Sequence, residues 1–326
     1  MHSGRRHVLR LAAIATMGLV FALPSVAQEW PSRAIRIIVV ASAGGLPDIA
    51  ARTFAQPLSR IYGQPVVVEN RAGGAGNIAT EIVARAAPDG YTLLSTGANQ
   101  AVNQILYPKP GFDYEKDLAP VAMLAESNMM VVASPTFPAG NLQEALELAR
   151  KKPGAVSMSV SVLGSPNHMG AELLAAMGKV ELNFIVYKGI SAALPDLMSG
   201  NVDIGIGALS SVLPQVKAGR LKALAVTRPK RTPQAPEVPT AEESGLQGFD
   251  INTWIALMTT GGTPPAVLER IASDVRRIAQ TADVRSAFEK QGIEASSMLP
   301  HELGAYIRRE VQTWTPVLKN ARIKAQ

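Results

Sequence analysis

The 326-residue chain contains no cysteine. Disulfide staples, thiol nucleophiles and thiolate metal sites are excluded together, so stability has to come from core size. Charge is thin at 18% of residues and aromatics reach only 5%, against 47% hydrophobic residues. That composition fills cores and marks no stretch as disordered. No run after the N-terminus approaches the ~20 apolar residues of a membrane span. Of four histidines, His2 and His7 precede the first apolar run, leaving His168 and His301 for any imidazole chemistry. Also missing are a G-x-S-x-G elbow, an H-E-x-x-H pair, a Walker lysine loop and an acidic cluster at calcium-loop spacing.

The N-terminus reads as an export signal over residues 1–27. Arg5, Arg6 and Arg10 supply the positive region, "LAAIATMGLVFAL" the apolar core, and "SVA" after Pro24 the small residues of a cleavage site. "GRRHVLR" also resembles a twin-arginine signal, so Sec and Tat export both remain open. The expected mature chain begins near Gln28. Removing the leader takes away three bases and no acid, which lowers the formal charge by three from +6. So mild a balance, with aromatics not interleaved among the bases, argues against nucleic acid as partner.

Beyond the leader, short apolar runs alternate with helical patterns. "AIRIIVVA" (34–41), "PVVVEN" (65–70) and "YTLLST" (91–96) predict buried strands, with helices over 48–63 and 77–87 between them. The order β-α-β-α-β implies a mostly parallel sheet flanked by helices. A second unit follows, with strands over 128–134, 155–161, 182–187, 202–208 and 221–227. It contains a helix opened by an Asn141-x-x-Glu144 capping box. A proline-rich connector (228–240) precedes a mainly helical tail of about 60 residues. Two α/β units and a helical tail predict two lobes.

"VVVENRAGGAGNIA" holds a G-x-G-x-x-A string, but a dinucleotide turn needs its first glycine directly after the first strand. Here four residues, Glu69 to Ala72, intervene between the valines and the glycines, and the string follows the second strand, so it reads as a loop whose Asn77 caps the next helix. Two other turns point to ligand chemistry. "ASAGGLPD" (41–48) and "VLGSPNH" (162–168) each run from a buried strand through glycine into a proline-started helix. Unpaired N–H groups at a helix start can bind an anion without a basic side chain. One such turn in each unit predicts a pincer on a carboxylate; ordinary helix capping is the plainer reading of each turn alone. His301 reads as a solvated residue at a helix start, His168 as a loop anchor and Lys188 as an ordinary lysine. An exported hydrolase using Ser165 or His168 lacks a third orienting group. No catalytic, metal or cofactor site is expected.

"YGQPVVVENRAGGAGNIATEIVARAAPDGYTLL" (62–94), "YKG" (187–189), "LPQVKAGRLKALAVT" (213–227) and "PEVPTAEESGLQGF" (236–249) resemble the Bug family, the extracytoplasmic receptors of tripartite tricarboxylate transporters. The likeness runs from about Trp30 to the C-terminus. It implies an α/β, two-lobed periplasmic binding protein of the flytrap kind (type II), each lobe a sheet flanked by helices. The implied lobes are 28–127 with 250–326, and 128–249, with the tail packing back on the first. It also implies a periplasmic monomer that captures a small carboxylate and delivers it to membrane permease subunits; a sensor of the same fold is the alternative. Carried onto this chain, the family's first ligand turn matches at Gly44, Gly45 and Asp48, with Ser42 and Ala43 in place of part of its proline-aromatic portion and Thr96 at a neighbouring strand end. The second turn is Ser161, Gly164, Ser165 and His168, joined by Tyr187 and Lys188. Gly207 and Ala208 stand where the family carries an acid and an amide. Their loss argues against an amino-acid-like ligand and for a carboxylate with a less polar body.

Overall fold

The computed structural model describes residues 30–107, 111–161, 164–289 and 292–319. The leader read over 1–27, and Val162 and Leu163 of the second turn, lie outside them.

The first strand shows why the sheet forms. In β1 (Ile35–Val39) every residue but Arg36 is buried, as expected of a strand covered on both faces. It pairs in parallel with β2 (Val66–Asn70) and β3 (Thr92–Gly97). The helices between and after them are α1 (Leu46–Tyr62), α2 (Asn77–Ala84) and α3 (Ala98–Leu106). The sixteen-residue β4 (Leu118–Ala133) follows. The second unit runs α4 (Leu142–Lys151), β5 (Ser157–Val160), α5 (Pro166–Gly178), β6 (Asn183–Val186), α6 (Ile190–Ser199), β7 (Ile204–Ala208), α7 (Leu209–Lys217) and β8 (Lys222–Val226). The chain then adds β9 (Asn252–Thr260), α8 (Pro265–Ala279), α9 (Ala282–Glu289), β10 (Glu294–Ala295) and α10 (Pro300–Lys319).

These strands form one curled sheet of order β2-β1-β3-β9-β4-β7-β5-β6, with β8 and β10 also paired to β4. It is mixed rather than mostly parallel, because β9 is antiparallel to both β3 and β4. β4 is the shared element. It pairs with β9 as far as Asn128↔Asn252, and with β7 from Met129↔Ala208 onward. At that change of partner Thr227 stitches the crossing segments. Its hydroxyl donates to the Met129 and Ile251 carbonyls at 3.0 and 2.6 Å, and its amide also donates to Met129.

The second half of the sheet is covered on both faces. One core gathers Met158, Leu174 and Ile206, the other Met130, Leu197 and Val212. The tail is not confined to the first lobe: Trp314 and Leu318 of α10 join the Met158 core, as does Val102 of α3. Helix ends follow local chemistry. Asn141 accepts from the Glu144 amide at 2.9 Å, as its capping box predicts. α1 ends at Gly63, whose φ of +61° suits glycine.

Candidate functional site

The expected ligand turns lie at the C-terminal ends of β1, β3, β5, β6 and β7, where open α/β sheets bind ligands. The first turn is built around Asp48, which is 3% exposed. Its carboxylate accepts from the Gly44 amide, Arg52 Nε and Asn70 Nδ2, each at 2.9 Å. Burial pushes the Asp48 carboxyl upward, but Arg52, the Gly44 amide and Asn70 outweigh it and hold the group below the usual aspartate range. Asn70 also donates to the Ala41 carbonyl, and the Gly45 amide closes the turn on the Ser42 carbonyl at 3.1 Å. Asp48, Gly44 and Gly45 thus hold the turn together through bonds within it. The amides of Ser42, Ala43 and Leu46 and the Ser42 hydroxyl make no bond among the described residues. Ser42 and Ala43 are exposed.

The second turn repeats this division of labour. Ser165 caps α5: its hydroxyl accepts from the His168 amide at 3.3 Å. His168 is fully buried, and its Nδ1 accepts from the Gly164 amide at 3.3 Å. That bond leaves the ring proton on Nε2, 3.7 Å from Glu172 Oε1. His168 is thus an anchor, and Gly164 has its amide occupied. The Ser165 hydroxyl meets the backbone of His168 rather than its ring, so the pair is not arranged as nucleophile and base. The amides of Ser165 and Asn167 make no bond among the described residues. Asn167 ties the turn to β7 by donating to the Ile206 carbonyl.

Other expected contributors divide similarly. The Tyr187 hydroxyl donates to Asp196 at 2.6 Å; burial first, then Asp196, pushes it up to about 12. Lys188 is exposed. Thr96 is buried with its hydroxyl unpartnered, and Ser161 is buried at the end of β5. A side chain at Gly207 would meet Val212 Cγ1 at 2.5 Å and Ile190 Cγ1 at 2.8 Å, so packing fills the place of the family's acid. Ala208 caps α7 with no side-chain bond. His301 lines a surface cavity of about 460 Å³ with Leu268 and Pro300, away from the turns.

The glycine string forms a tight turn over Gly74–Gly76. Asn77 does not cap α2; Gly76 does, at φ +91°. The Asn77 side-chain Oδ1 instead accepts from Asn103 Nδ2 at 3.3 Å and the Tyr114 hydroxyl at 3.2 Å. Asn103, 1% exposed, also donates to the Ala75 carbonyl at 2.8 Å. Sequence reasoning missed Asn103, since its partners lie 26 and 28 residues away. It also missed Asn70, whose signal was the polar end of the "VVVEN" run.

Two half-sheets joined through a shared strand, with glycine turns at the strand ends of each, define a two-lobed periplasmic binding protein. The description "Tripartite tricarboxylate transporter family receptor" matches residues 50–323, and the chain belongs to that family. It is 34% identical to BugT of Bordetella pertussis over 95% of both chains. Among solved structures it is similar to a Rhodopseudomonas palustris protein solved with adipate, at 31% identity and a TM-score of 0.78, over 91% of this chain and 99% of that one. MatC of the same organism, solved with malate, matches at 29% identity and a TM-score of 0.74, over 89% and 100%. The chain is accordingly a solute receptor of the periplasmic binding protein class.

Proposed function

We propose that the receptor closes on a small carboxylate, held by the amides of Ser42, Ala43 and Leu46 from one turn and of Ser165 and Asn167 from the other. One observation carries this reading. In both turns the acid or imidazole is turned inward to fix the loop, while neighbouring amides at a helix start keep their hydrogens. Such donors replace the water around an anion as the lobes exclude solvent. Asp48, the acid of the first turn, already has the Arg52 guanidinium against it, so it offers a ligand ammonium no free counter-charge there. With Gly207 and Ala208 adding no polar group, the body of the ligand is apolar, aliphatic or aromatic, rather than that of an amino acid.

On this reading the lobes are 28–127 with 250–326, and 128–249, with α10 shared between them. The chain works as a periplasmic monomer, exported by the leader over 1–27. It hands its ligand to the membrane subunits of a tripartite transporter, as the family description supports.

A thermal-shift screen of adipate, benzoate, malate and aspartate tests the chemistry. At ~100 times its dissociation constant a ligand adds about 2.7 kcal/mol of stability. Adipate or benzoate should raise the melting temperature and aspartate should not. A shift with aspartate at micromolar strength overturns the assignment of the ligand body.

A further inference from the structure

We infer that α3 carries a closure latch in which Leu106 seats on Gly164 across the gap between the lobes. α3 leaves the end of β3 in the first half of the sheet, whereas Gly164 belongs to the turn between β5 and α5 in the second. A Cβ at Gly164 would lie 2.5 Å from Leu106 Cδ1, 3.7 Å from Val102 Cγ2 and 3.9 Å from Asn103 Oδ1. The backbone of Gly164, at a φ of +75°, therefore rests directly on α3.

Val102 and Leu106 are four residues apart and share a helix face. Val102 is fully buried in the core of the second half, and Leu106 packs against the same core. Asn103, between them in sequence, has its Oδ1 beside the Gly164 position, while its Nδ2 donates to Ala75 in the glycine turn of the first lobe. One short helix thus holds a rim turn of one lobe by a polar bond and receives the rim turn of the other by apolar contact. Opening the lobes separates Gly164 from Leu106; a methyl at 164 would meet Leu106 Cδ1, so the Leu106 side chain has to shift before the lobes can close. Leu106 and Asn103 are positioning residues of the closed state and need not touch the ligand.

The test uses the absence of cysteine. Spin labels at Ile82→Cys on α2 and Val186→Cys on β6, both exposed positions, report the distance between lobes in the full chain. The deciding measurement is made without ligand. Gly164→Ala should add a longer-distance population, and Leu106→Ala in that background should return the distribution to the parent's. Leu106→Phe enlarges the same contact from the other side, without changing the turn, and should also add the longer population. If both single variants give the parent distribution, or Leu106→Ala fails to reverse Gly164→Ala, the latch is wrong. Adding adipate to the parent tests the receptor reading separately: a raised melting temperature supports it and an unchanged one opposes it, whatever the ligand-free variants show.

Discussion

At the scale of single residues, Asp48 shows how a side chain can serve a site from behind it. A carboxylate at the third position of a glycine-proline turn is easily taken for a ligand contact. In the fold it is enclosed by Gly44, Arg52 and Asn70, all donors to its negative charge. Replacing it by asparagine leaves those donors without a charged acceptor, at a cost of about 1–3 kcal/mol. Because the folded-state pKa lies below the unfolded value near 3.8, this stabilisation is complete above that pH. It is lost as pH falls through the folded value. Urea unfolding of Asp48→Asn should therefore show its full deficit at pH 7 and a shrinking deficit below pH 3.8. An equal deficit at every pH would assign the loss to packing rather than charge.

Among elements, the strand–turn–helix units were legible because their signals are local. Buried apolar runs, a glycine exit and a proline start place β1 with α1 and β5 with α5 to within a few residues. β9 was not legible. "NTWIALMTT" carries no alternation, because this strand is buried on both faces between β3 and β4. The early part of β4 was hidden by Pro120 and by register shifts beside Ala122 and Ala125. Asn77 misled for another reason: it already has helical angles, and distant Asn103 and Tyr114 claim its side chain. Gly207 gives the corresponding prediction. Its Cβ direction is filled by Val212 and Ile190, so Gly207→Asp should not provide a ligand-facing acid. Overpacking, with a charge among apolar groups, should lower stability by about 2–4 kcal/mol in denaturant titration. A variant of unchanged stability that gains affinity for aspartate would show that the side chain reaches the cleft after all.

For the whole molecule, β4 makes the two halves mechanically one. It belongs to both sheets, Thr227 binds the crossing backbone together, and α3 and α10 each lend apolar side chains to the second half's core. Domain closure on this plan bends a few crossing residues and leaves each half rigid. On the proposed reading the ligand meets donors fixed in advance by Asp48 and His168, so little ordering is left to occur on binding. The most direct measurement is an amide-resolved NMR titration of the full receptor with adipate. The N–H signals of Ser42, Ala43, Leu46, Ser165 and Asn167 should move together and saturate at one dissociation constant, with Gly44 and Gly164 moving less. Saturable shifts centred elsewhere, for example around Glu126, Arg228 and Lys230 beside the crossover, would contradict the placement of the ligand between the turns.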